Sequence, residues 1–84
     1  MDIAVAFGLV LRGLRRQAGL TQEQLGFESG LERNFISLLE LGQRQPSLST
    51  IFKLAAGLGV DPASLVTLVR EHLDGEQSAD GETP

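Results

Sequence analysis

Residues 21–44, TQEQLGFESGLERNFISLLELGQR, constrain this chain more than any other segment. They read as two short helical patterns joined at Gly30. Thr21 stands before the first pattern, and Gln24 three residues on completes the reciprocal side chain–backbone pair that opens a helix. This helix spans Gln22 to about Ser29, with Leu25 as its clearest core residue. Gly26 within it falls where the helix must pass close to the next one; a mid-helix glycine otherwise costs about 1 kcal/mol relative to alanine. Gly30 supplies the turn, with a positive φ that glycine adopts without strain. The second helix runs from about Glu32 to Leu41. Leu31, Phe35, Ile36 and Leu39 provide its apolar contacts, and Gly42 stops it.

Three more helices follow from periodicity, and no strand: there is no period-2 run and no hairpin dipeptide between alternating segments. Helix 1 spans roughly Ile3 to Ala18, with an apolar stripe of Ile3, Phe7, Val10, Leu14 and Ala18 at spacings of three and four. Arg12, Arg15 and Arg16 lie toward its C-terminal end, where cations suit the helix dipole, and Gly19 is the stop. Ser47 caps a fourth helix carrying Leu48, Ile51, Leu54, Ala55 and Leu58, ended by Gly59. Asp61-Pro62 restarts the chain as an N-cap acid followed by proline at the first helical position. The fifth helix then carries Leu65, Val66, Leu68, Val69 and Leu73. The expected organisation is one all-α domain over 1–73, a compact five-helix bundle, followed by an acidic tail over 74–84 whose composition predicts disorder.

Eighty-four residues make one small domain. The chain has no cysteine, so it has neither a disulfide framework nor a thiolate zinc site. Asp2 and the lack of a basic n-region argue against a signal peptide, and the apolar runs fall far short of the roughly 20 residues that span a bilayer. A soluble, cytoplasmic protein is expected, with no membrane association. The formal net charge is −4, which at first argues against nucleic acid, but the charges are unevenly placed. Residues 1–70 hold seven basic and six acidic side chains, and residues 71–84 hold five acidic ones. A body so close to neutral predicts only modest non-specific affinity for DNA.

The paired helices of 22–41 have the layout of a helix-turn-helix, whose second helix can enter the DNA major groove. Reading a groove needs hydrogen-bonding side chains at the outward, N-terminal positions of that helix. Arg33 and Asn34 are there: arginine pairs with guanine O6/N7 and asparagine with adenine N6/N7. Ser37 lies one turn on, and Leu38 is placed either to touch a thymine methyl or simply to be exposed. Without the surrounding motif, Arg33 and Asn34 would read as solvated surface. For the DNA backbone, Thr21 and Gln22 stand at one helix N-terminus, and Gln43 and Arg44 lie beyond the second helix. Thr21 is also fully explained as a cap.

From about Phe7 to Leu65 the chain resembles the Xre/Cro family of phage-repressor-like transcription factors. The residues that carry the resemblance are Leu14-Arg15, Gly19-Leu20-Thr21-Gln22, Leu25, Gly30, Ile36-Ser37, Glu40, Gly42, Pro46 and Leu58-Gly59-Val60. Within the family it is most similar to short stand-alone members such as restriction–modification controller proteins. The resemblance implies a lambda-repressor-like bundle that binds a near-palindromic operator as a homodimer. It also implies an ion pair between Arg15 and Glu40 that ties helix 1 to the second helix of the motif. Two positions depart from the pattern. Leu41 stands where an Arg or Asn is usual, and Gly26 stands where alanine is usual.

Helix 5 has more apolar surface than one face can bury, and Val60, Val66 and Val69 are expected at a two-fold interface. Such symmetry would set two recognition helices about 34 Å apart on successive major grooves. No cofactor, metal or small-molecule ligand is expected. His72 is the only histidine, and with Glu71 it reads as solvated rather than catalytic. Glu28 and Glu32 are candidates for a polymerase contact by position only. The alternative reading is a helix-turn-helix module that binds protein, as an antitoxin or co-activator subunit. The near-neutral body and Leu41 favour that reading slightly, and salt dependence separates the two.

Overall fold

A computed structural model describes residues 1–81, with side chains through residue 75. Five helices follow one another: α1 Ile3–Gln17, α2 Gln22–Ser29, α3 Arg33–Glu40, α4 Leu48–Leu58 and α5 Pro62–Gly81. No strand occurs among the described residues.

The caps explain where the helices begin. The Asp2 carboxylate accepts from Val5 N at 2.8 Å. Thr21 and Gln24 form the reciprocal capping box, at 3.0 and 2.8 Å. Ser47 Oγ accepts from Thr50 N, and Asp61 accepts from Ala63 N behind Pro62. Only α3 starts without a side-chain cap; its N-cap is Glu32. Gly30 closes α2 at φ +69°, in the left-handed region that costs other residues a Cβ clash. It turns the chain so that Leu31 N reaches back to Gly26 O at 2.8 Å. The same device ends α1 at Gly19, α3 at Gly42 and α4 at Gly59.

The core is built by all five helices. Leu11, Leu25, Ile36, Leu39, Leu54 and Leu65 are completely buried, with Phe7 and Val69 beside them. α1 packs on α3 and α5, α2 on α3 and α4, and α4 on α5. The expected stripe of α1 is corrected by this arrangement. Ile3 is 55% exposed and Ala18 is exposed, whereas Ala6 and Leu11, outside the stripe, are fully buried. A helix lodged between two neighbours needs a wider apolar face than a single three-four row, and Phe7–Leu11–Arg15 forms its other edge. Gly8 lets that edge approach α3: a Cβ there would stand 2.5 Å from Leu39 O and 2.6 Å from Glu40 O. Gly26 serves the same purpose between α2 and α3, where a Cβ would stand 2.6 Å from Leu31 O.

α5 does not end at Leu73, where the sequence places the start of the tail, but continues to Gly81. The last part of that expected tail, residues 82–84, lies outside the described residues, as do the side chains of 76–81.

Candidate nucleic-acid interface

The α2–turn–α3 unit is fixed from behind by a charged link. Arg15 Nε donates to Glu40 Oε2 at 2.6 Å and Nη2 donates to Oε1 at 3.0 Å, a two-pronged contact. The third nitrogen, Nη1, donates to Leu20 O at 2.9 Å. Gln22 adds its amide nitrogen to Glu40 Oε1 at 3.1 Å. The two charged side chains are only 11% and 4% exposed. The hydrogen bond to Glu40 raises the Arg15 guanidinium above its ordinary pKa, outweighing the opposite effect of burial. This cluster joins the end of α1, the start of α2 and the end of α3, so it sets the pose of α3 against the rest of the bundle.

On the outward side, Arg33 and Asn34 are both exposed and occupy the first two positions of α3. Neither side chain makes a hydrogen bond or an ion pair among the described residues. Ile36 and Leu39 anchor the opposite face in the core. Ser37 and Leu38 are half-buried, so Leu38 offers an edge rather than a free side chain. Leu41 is 63% exposed at the end of the helix. Thr21 is exposed, but its hydroxyl and its backbone N–H are both engaged with Gln24. The amides of Gln22 and Glu23 are left as the orphan donors of that helix start. Gln22 is half-buried and partly committed to Glu40. Gln43 and Arg44 are exposed in the loop after α3. The structure therefore gathers Thr21, Gln22, Arg33, Asn34 and Ser37 at the adjoining starts and outer faces of α2 and α3.

The three valines expected at a two-fold interface are not equivalent. Val69 belongs to the core at 7% exposure, and Val60 is half-buried against it; only Val66, at 47%, is free. The reason is α5's pitch: Leu65 and Val69 share the inward row, which turns Val66 outward. Val66 shares a hollow with Ile3, Ile51 and Pro46. The sequence pattern missed Ile3 as a surface residue, because its spacing from Phe7 and Val10 reads as core.

Comparison with known proteins gives a consistent result. A helix-turn-helix family model, HTH_3, matches residues 11–65. The control protein C.BamHI of Bacillus amyloliquefaciens is 39% identical over 77% of this chain and 82% of its own length. The control protein C.SmaI of Serratia marcescens is 38% identical over 92% and 89%. The crystal structure of the restriction-modification controller protein C.AhdI from Aeromonas hydrophila superposes with a TM-score of 0.72 at 48% identity, covering 74% of this chain and 90% of that one. The chain belongs to the Xre-like helix-turn-helix family of DNA-binding transcription regulators.

Proposed function

We propose that the chain binds a near-palindromic operator as a homodimer, each protomer laying α3 in the major groove. One observation carries this reading: Arg33 and Asn34 are exposed and unpartnered among the described residues, on the first turn of a helix whose other face is locked in the core. Arg33 is assigned to guanine and Asn34 to adenine, with Ser37 and the edge of Leu38 on neighbouring base pairs. Thr21, Gln22, Gln43 and Arg44 are assigned to the phosphates on either side. Val66, with Ile3 and Ile51 across the hollow, is the apolar patch assigned to the two-fold contact. The similarity to the restriction-modification controller protein C.AhdI supports a regulatory role on DNA.

The test is selection of bound sequences from a random duplex pool, comparing wild type with Arg33→Ala. Enrichment of a palindrome, with preference relaxed at one symmetric base pair in the variant, is the expected result. No enrichment at low salt would refute the reading. It would favour the second one, a protein-binding module, for which Phe27 at 85% exposure and Leu41 are the supporting surface features.

A further inference from the structure

We propose that Arg12 and Arg16 of α1 form a second phosphate clamp, holding the DNA strand that passes the C-terminal end of α3. The two arginines are exposed and one helical turn apart on the same face of α1. They border a polar hollow of about 290 Å³ shared with Gln22, Ser37 and Leu41. Arg15 and Glu40 line the same hollow but cancel each other's charge, so its positive field comes from Arg12 and Arg16. Neither forms an ion pair with a carboxylate among the described residues, whereas Arg70 on α5 has Asp74 one turn away at 4.0 Å.

The α1 dipole does not account for both side chains. Its influence falls off within the last turn, which contains Arg15 and Arg16 but not Arg12. The hollow adjoins the start of α2 through Gln22 and the outer face of α3 through Ser37. An anion seated there is therefore next to the groove-reading surface. α3 itself ends in an exposed apolar Leu41 and offers that strand no donor from its last position; α1 supplies the cations instead. The inference rests on the groove-reading assignment of α3.

The experiment measures binding of the selected duplex by fluorescence anisotropy across a salt series, for wild type, Arg12→Ala, Arg16→Ala, both with and without Leu41→Arg, and Arg70→Ala as control. Melting curves confirm that each variant folds. Removing one phosphate contact flattens the log–log salt slope by about 0.9 per protomer. The advantage of wild type over each variant then shrinks about 3- to 4-fold between 50 and 200 mM salt for each phosphate left unneutralised. The preferred sequence stays the same, Leu41→Arg restores the slope, and Arg70→Ala changes nothing. Slopes equal to wild type, or a change in base preference, overturn the clamp. A wild type that binds no duplex at any salt refutes instead the reading on which it rests.

Discussion

Removing Arg15 tests whether the α1–α3 link holds the recognition helix. In Arg15→Ala, Glu40 keeps a carboxylate that is 4% exposed, with only the Gln22 amide as partner. Breaking a buried pair from one side costs about 3–5 kcal/mol, since the remaining charge is left uncompensated. A chain of this size has a total stability of about 4–13 kcal/mol, so the loss is a large fraction of it. At about 4–8 °C per kcal/mol, the melting temperature falls by about 12 °C or more. Glu40→Ala should cost somewhat less. The freed guanidinium keeps Leu20 O and has a long stem by which its head can reach water. The double variant Arg15→Met/Glu40→Leu should recover most of the loss, because replacing both partners by apolar groups removes the stranded charge. The assay is thermal and urea unfolding by circular dichroism at one fixed protein concentration, since the melting point of the proposed dimer would depend on concentration. Losses below about 1 kcal/mol in both single variants would refute the argument and place the pair among loose surface bridges.

Gly8→Ala should destabilise by about 1–3 kcal/mol despite alanine's better helix propensity, because its Cβ would press on the Leu39 and Glu40 carbonyls; a stabilised variant in the same unfolding assay would contradict the close approach. Val66→Asp should convert the proposed dimer to monomer in sedimentation equilibrium while leaving helical content intact, and an unchanged dimer would move the two-fold contact elsewhere. The pH dependence of the Arg15 link has a definite sign. A guanidinium whose pKa is raised by folding contributes stability that is complete below its unfolded value and is lost only as pH rises through the folded one. The stability difference between wild type and Arg15→Ala should therefore be constant from about pH 7 to pH 10, and a difference that shrinks over that range would refute the assignment.

Much of this architecture is legible in the sequence because its signals are local. Thr21 with Gln24, Asp61 with Pro62, and the four helix-ending glycines act within a turn of themselves, and every helix begins or ends within a residue or two of its signal except at the end of α5. Facing directions are less legible, because they depend on neighbours. The stripe Ile3–Phe7–Val10–Leu14–Ala18 is regular, yet of it only Phe7 is fully buried, and the placement of α3 and α5 around α1 decides that. Val66 and Val69 differ by three residues on an apolar helix, yet one is core and the other surface. Gly8 carries no sign in sequence of the α3 carbonyls opposite it. Arg15 and Glu40 are 25 residues apart, and periodicity alone does not pair them; the family resemblance does. The candidate groove-reading residues Arg33 and Asn34 are legible because the motif fixes both their helix and their position on it.

The charge distribution sets how this protein must discriminate among sequences. Arg15 is spent internally on Glu40. Of the remaining cations, Arg12, Arg16, Arg33 and Arg44 are the exposed arginines assigned to the DNA side. Arg33 is directed at a base, so the phosphate-directed Arg12, Arg16 and Arg44, about six side chains in the proposed dimer, put the log–log salt slope at about −5. Non-specific DNA can engage the phosphate-directed arginines just as well, so their contribution raises affinity without raising discrimination. In the proposed complex, discrimination then falls to Arg33, Asn34 and their symmetry mates, each good base contact worth about 1–3 kcal/mol. A measured slope clearly steeper than about −5 on the operator would mean that cations outside this set reach the phosphates, Lys53 foremost, and that the bound protein wraps further around the duplex than α1 and the loop after α3 provide.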